Sequence, residues 1–196
     1  MILPIVAYGT PVLKKKAVAI PADYEGLDAL IENMWETMYA ANGVGLAAPQ
    51  VGISLRLFVI DASPFADDEE LSMEEQTILK GFKKVFINAQ VEEEVGEEWA
   101  FNEGCLSIPD VREDVKRKEQ LSIRYQDEKG NECIETYTGL AARVIQHEYD
   151  HIEGILFTDK LSPLKKRLVK GKLNNIAKGN IEVDYKMKFP LKSKKR

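Results

Sequence analysis

The chain has only two histidines, and they stand four residues apart in QHEYDHIEG (146–154). Positions four apart on a helix share one face, so His147 and His151 can meet a single cation. Glu148 lies between them, where a carboxylate can act as a general base beside that cation. Leu140, Val144, His147, His151 and Ile155 continue one stripe at helical spacing, which turns both histidines inward. The pattern requires a helix with a buried face, packed against whatever completes the ligand set. The plain alternative is a pair of histidines on an amphipathic helix with no metal.

Two histidines leave a tetrahedral catalytic centre one protein ligand short, because such centres use about three plus a water. The metzincin continuation HExxHxxGxxH would place a histidine where Phe157 stands. A thermolysin-like site would need an acid on a second helix downstream. Glu182 is the main candidate, and its GNIEVDY setting reads as strand or tail. Two cysteines are too few for a disulfide framework. Cys133, between Glu132 and Ile134 in an alternating strand pattern, reads as buried and inert. Cys105, in NEGCLS (102–107), has a more polar setting, with Ser107, Pro109 and Arg112 close behind it.

Periodicity gives an amphipathic helix over 24–41 through Leu27, Leu30, Ile31, Met34, Met38 and Tyr39, stopped at Asn42-Gly43. Strands are expected at 55–61, 84–95 and 120–139, the last a hairpin around Lys129-Gly130-Asn131. Residues 62–80 read as an acidic surface insertion with a short helix from Ser72. Thr138 is placed to cap the histidine-bearing helix, which runs to about Glu153 and stops at Gly154. Ser162-Pro163 opens a basic helix to about 178, and FPLKSKKR (189–196) reads as a mobile tail. No regular βαβ alternation is present, so the fold class is α+β. The expected form is a compact single domain, its antiparallel strands packed around a central HExxH helix, plus a C-terminal basic helix.

The 196 residues suit one domain, with residues 1–163 as the catalytic body and 164–196 as a basic helix and tail of the same domain. The net charge of −5 hides an asymmetry. Residues 164–196 carry 12 of the 27 basic and 2 of the 32 acidic residues, so the body is strongly acidic. That excludes a uniformly basic nucleic-acid binder, and no specific DNA partner is expected. The basic segment is either a solvated face or a salt-sensitive contact with ribosomal RNA. No stretch nears the ~18 apolar residues of a membrane helix. The opening MILPIVAYGTP has no basic leader and is broken by Pro4, Gly9 and Pro11, so a soluble cytoplasmic protein is expected, with no membrane partner.

Three segments taken together, GVGLAAPQ (43–50), EGCLS (103–107) and QHEYDH (146–151), resemble the peptide deformylases in order and spacing, as does the opening PIVAYGTPVLKKKA. The likeness covers about residues 1–160 and thins through 62–80 and the C-terminal segment. It implies an enzyme that removes the N-formyl group from the terminal methionine of newly made polypeptides and releases formate. By similarity Cys105, His147 and His151 hold the metal, natively Fe(II), with zinc or nickel able to replace it, and Glu148 is the acid/base. Gln50 and the Leu106 backbone N–H would stabilise the oxyanion, and Gly43, Val44 and Gly45 would pair with the extended substrate. Leu140 and Val144 would line the methionine pocket, with Arg112 at its rim. Two other readings stay open: a zinc protease using the same HExxH logic, and a non-catalytic peptide-binding module with a structural metal.

Overall fold

The computed structural model describes residues 1–190. Part of the expected tail, 191–196, lies outside the described residues. A five-stranded antiparallel sheet runs in the order β2 (Gly45–Ala47), β3 (Leu57–Asp61), β4 (Lys83–Cys105), β5 (Ile108–Gln126), β6 (Glu132–Thr138). Four α-helices accompany it: α1 (Leu27–Ala40), α2 (Met73–Lys80), α3 (Gly139–Ile152) and α4 (Pro163–Lys178). The α+β class read from the sequence is the class observed.

Alternation along β3 divides the core. Phe58 and Ile60 face α3, packing with Phe86, Leu121, Ile123, Val144, Ile145 and Ile152. Leu57 and Val59 point the other way, to Leu30, Ile31, Met34 and Met38 of α1. Successive side chains of a strand alternate between faces, so one short apolar strand serves two helices at once. Its five residues, LFVID, are accordingly apolar almost throughout. Tyr39 departs from the expected stripe on α1. It is exposed, stacks on Trp35 and donates its hydroxyl to Asp61 at 2.6 Å.

Strands β4 and β5 form one long hairpin, where the sequence pattern gave only 84–95 and the start of 120–139. The charge-rich middle, VGEEWAFNEGC and IPDVREDVKRKEQ, masks the period-two signal, and the pairing shifts register at four places between Ile87 and Cys105. The hairpin closes on a two-residue turn, Leu106-Ser107. Cys133 lies on β6, half-buried rather than buried, because this outermost strand has one face against the core and the other toward solvent.

The 62–80 segment contains α2, capped by the Ser72 hydroxyl, which accepts from the Glu75 amide at 3.2 Å. Glu75 in turn accepts from the Leu140 amide in the first turn of α3, at 3.1 Å. Thr138 occupies the N-cap position of α3, but its side chain makes no capping bond. Helix α4 buries Val169, Leu173 and Ile176 against Leu13, Val111, Val115 and Phe157. Past Gly179 the chain doubles back, and β7 (Met187–Lys188) pairs in parallel with β1 (Ile5–Val6). The segment around Glu182 is thus a docked return and not a helix, and Phe189 packs over Gly179 instead of trailing free. No described helix is long and apolar enough to cross a membrane.

Candidate active site

Cys105 ends β4, while His147 and His151 stand one turn apart on α3. Their donor atoms lie within 4.8 Å of one another, with Cys105 Sγ 3.3 Å from His151 Nε2. Phe157, where a metzincin would have its third histidine, is buried and stacks on the His147 ring. Glu182 is exposed and belongs to no such group.

The surroundings orient the trio. His147 Nδ1 donates to Glu103 Oε2 at 3.0 Å, which leaves Nε2 to face the other ligands. Glu103, buried, also accepts from Arg117 Nε at 2.6 Å, Arg117 Nη2 at 2.9 Å and Arg143 Nη1 at 3.1 Å. Asp150 takes the remaining arm of Arg117 at 2.6 Å. Burial alone would raise the Glu103 carboxyl, but hydrogen bonds from Arg117 and His147 hold it well below the usual carboxylate range. A buried carboxylate at the focus of three donors is a fixed anion, and it sets the histidine tautomer.

The same balance governs the histidines. Burial opposes a charge on His147, yet hydrogen bonds to Cys105 and Glu103 outweigh it and push its pKa up to about 10. Burial, then the neighbouring His147 charge, holds His151 well below its ordinary value. Burial pushes Glu148 up to about 7, against the pull of His147 and Arg117. A carboxyl poised there can both take and return a proton near neutrality.

Glu148 Oε2 and His151 Nδ1 are buried polar atoms without a protein partner. Such orphans are costly unless something else satisfies them. One thiolate and two imidazoles are a donor set suited to a divalent transition metal. The residues present therefore fit a resident metal.

Cys105 and His147 border a cavity of about 560 Å³ whose lining includes Gly43, Val44, Gly45, Gln50, Leu106, Arg112, Val144 and Glu148. Gln50 is buried, and its Oε1 accepts from the Ala47 amide at 2.8 Å. That bond turns Nε2 toward Cys105 Sγ, 3.5 Å away. Gly45 lies so close to Glu148 that a β-carbon there would come within 2.5 Å of Oε1. Arg112 is exposed at the edge, held by Asn102 at 2.6 and 2.9 Å. Leu140 is the exception among the expected residues. It does not line the cavity, because it sits in the first turn of α3 and packs into the core between helix and sheet.

Several lining and supporting residues escaped the sequence reading. Glu103 had a signal, since residues two apart on a strand share a face and it lies two before Cys105. Arg117, Arg143, Phe65, Phe101 and Tyr185 had none, because their approach depends on long-range pairing.

An HExxH helix in an α+β fold, with a Cys/His/His group that could hold a metal beside a cavity, is the arrangement of a metal-dependent hydrolase. A family profile described as polypeptide deformylase matches residues 2–167. The chain is 67% identical to a peptide deformylase of Christiangramia forsetii and 61% to one of Flavobacterium johnsoniae, over the whole of each chain. Its fold resembles the crystal structure of a peptide deformylase from Legionella pneumophila, with TM-score 0.75 and 38% identity over 89% of this chain and 95% of that one. The chain belongs to the polypeptide deformylase family, metal-dependent enzymes that remove the N-formyl group from nascent polypeptides.

Proposed function

We propose that Cys105, His147 and His151 hold the metal, that Glu148 is the acid/base, and that Gln50 and the Leu106 amide stabilise the oxyanion. The observation that carries this reading is the convergence of the three ligand atoms within 4.8 Å beside a buried carboxyl that lacks a partner. A bound divalent cation supplies Lewis acidity and lowers the pKa of a water toward ~7. Glu148 takes a proton from the attacking water and delivers it to the leaving amine. Gln50, fixed by the Ala47 amide, donates from Nε2 to the oxygen on which charge develops.

Strand β2 is an edge of the sheet, so a substrate peptide can add alongside Gly43, Val44 and Gly45 in extended form. Val144, Phe65 and Phe101 offer apolar walls for a methionine side chain, with Arg112 at the rim. In this arrangement α3 is the central HExxH helix around which the antiparallel strands pack, and α4 is the basic C-terminal helix. Residues 1–163 form the catalytic body and 164–196 the basic part of the same domain. The metal is Fe(II), whose thiolate-ligated site is open to oxidation, so activity falls rapidly in air. The protein works in the cytoplasm, and its basic segment is either a solvated face or a salt-sensitive contact with the ribosome.

The deciding assay is formate release from a formyl-methionyl peptide by the iron-loaded protein. Formate without internal peptide cleavage is expected, and internal cleavage would favour a protease instead. Glu148→Ala should keep its metal and lose turnover. Full activity in that variant would refute the assigned acid/base.

A further inference from the structure

The matched family region ends at residue 167, yet the chain beyond it reaches the catalytic cavity. Tyr185 is half-buried, lines that cavity, and donates its hydroxyl to the Leu106 carbonyl at 2.7 Å. Leu106 begins the two-residue turn that closes the β4–β5 hairpin, immediately after the ligand Cys105. The ladder closes on the Cys105–Ile108 pair after an irregularity at Gly104, so contacts from outside the hairpin help to set the position of the turn. The next residue is tied as well, its Ser107 carbonyl accepting from the Tyr8 amide at 2.8 Å.

Tyr185 is itself held firmly. It lies two residues before β7, and this stretch is bonded to β1, Ile5 N donating to the Lys186 carbonyl and Ala7 N to the Lys188 carbonyl, each at 2.9 Å. Its ring packs with Leu106 and Met187 against the core on the α1 side of the sheet. The Leu106 side chain in turn abuts Gly43, where a β-carbon would approach it to 2.8 Å. One contact therefore connects the returning C-terminal strand, the hairpin tip and the substrate-facing edge.

We infer that Tyr185 is a positioning residue for deformylation, its hydroxyl fixing the Leu106 turn so that the adjoining amide is aimed at the developing oxyanion. The inference rests on the oxyanion role proposed for Leu106 and Gln50. A donor aimed where charge develops acts on the transition state and not on ground-state binding. Removing one hydrogen bond that holds it should lower kcat, with KM little changed.

The test uses the full chain, metal-loaded, with Tyr185→Phe keeping the ring and losing only the hydroxyl. A kcat lowered roughly three- to tenfold at constant KM and metal content is expected, the range set by loss of one neutral hydrogen bond. Hydrogen–deuterium exchange, read on the metal-free protein as well, should accelerate across 103–109 and stay unchanged in α1 and α3. Gln50→Ala is measured in parallel. A loss in Gln50→Ala with none in Tyr185→Phe overturns the Tyr185 assignment alone. Unchanged turnover in both removes the oxyanion reading and the Tyr185 assignment with it. A fall in kcat with unaltered exchange across 103–109, or with a general loss of protection, overturns the positioning role.

Discussion

Glu103→Gln should test the support of the metal site, because it changes one atom at the point where four donor nitrogens from three residues meet. The amide oxygen can keep Arg117 Nε and Arg143 Nη1, now 2.6 and 3.1 Å from Oε1. The new NH2 group would then face Arg117 Nη2 and His147 Nδ1, at 2.9 and 3.0 Å from the present Oε2. Both were donors to the carboxylate. His147 can adapt only by accepting at Nδ1, which moves its proton to Nε2, the nitrogen needed for the metal. Loss of such a supporting partner typically weakens metal binding roughly 10–100-fold. Stability falls too, since two buried guanidinium groups lose a counter-charge. Arg117 retains Asp150 at 2.6 Å, and Arg143 retains the carbonyls of Val115 and Trp99 at 3.0 and 2.7 Å. The low end for a broken buried pair applies, about 3 kcal/mol. For a chain of this size that is roughly a 10 °C fall in Tm. Competition with a chromogenic chelator gives the affinity and thermal melting of the metal-free protein gives the stability. Metal affinity within about threefold of wild type would refute the tautomer argument.

Gly45→Ala places a methyl 2.5 Å from Glu148 Oε1 and 2.8 Å from its Cγ and Cδ, so the carboxyl must move. A displacement near 1 Å costs on the order of 100-fold in kcat, and steady-state rates within about twofold of wild type would show the contact to be harmless. Stripping the metal should lower Tm, because a ligand bound only to the folded state at about 100 times its Kd contributes about 2.7 kcal/mol. Equal melting curves for chelator-treated and reloaded protein would count against a resident metal. On the outer strand, burial would raise the Glu135 carboxyl, but hydrogen bonds from Lys84, Tyr125 and Tyr137 leave it below its ordinary value. Its contribution is therefore complete above the unfolded pKa of about 4.3 and is lost as pH falls through the lower folded value. The stability gap between wild type and Glu135→Gln should close on acidification from pH 5, and a gap independent of pH would contradict this.

The histidine pair was legible because helical spacing alone puts both rings on one face. The ends of α3 and α4 were legible for the same local reason, the α4 start carrying its capping serine in the sequence. The inner half of the β4–β5 hairpin was not, since its strands are charged on one face and interrupted by bulges. The guanidinium pair behind His147 and Glu103 was equally hidden: nothing local distinguishes Arg117 or Arg143 from a solvated arginine. Leu140 falls on the same helical stripe as Val144, and the sequence could not say which residues of that stripe face the cavity and which the core.

Pairing β7 with β1 joins Met187 to Ile5, a separation of 182 positions. During synthesis Cys105, His147, Glu148, His151 and strand β2 all leave the ribosome well before residue 187. Until then the first strand has no partner on that side, and the hairpin tip lacks its outer tether. Domains are completed as units while the chain is made, at roughly 5–20 residues per second. If Tyr185 positions the Leu106 turn, docking of this late segment also finishes the cleft, and a copy not yet made past residue 188 would be a poor catalyst for its neighbours' chains.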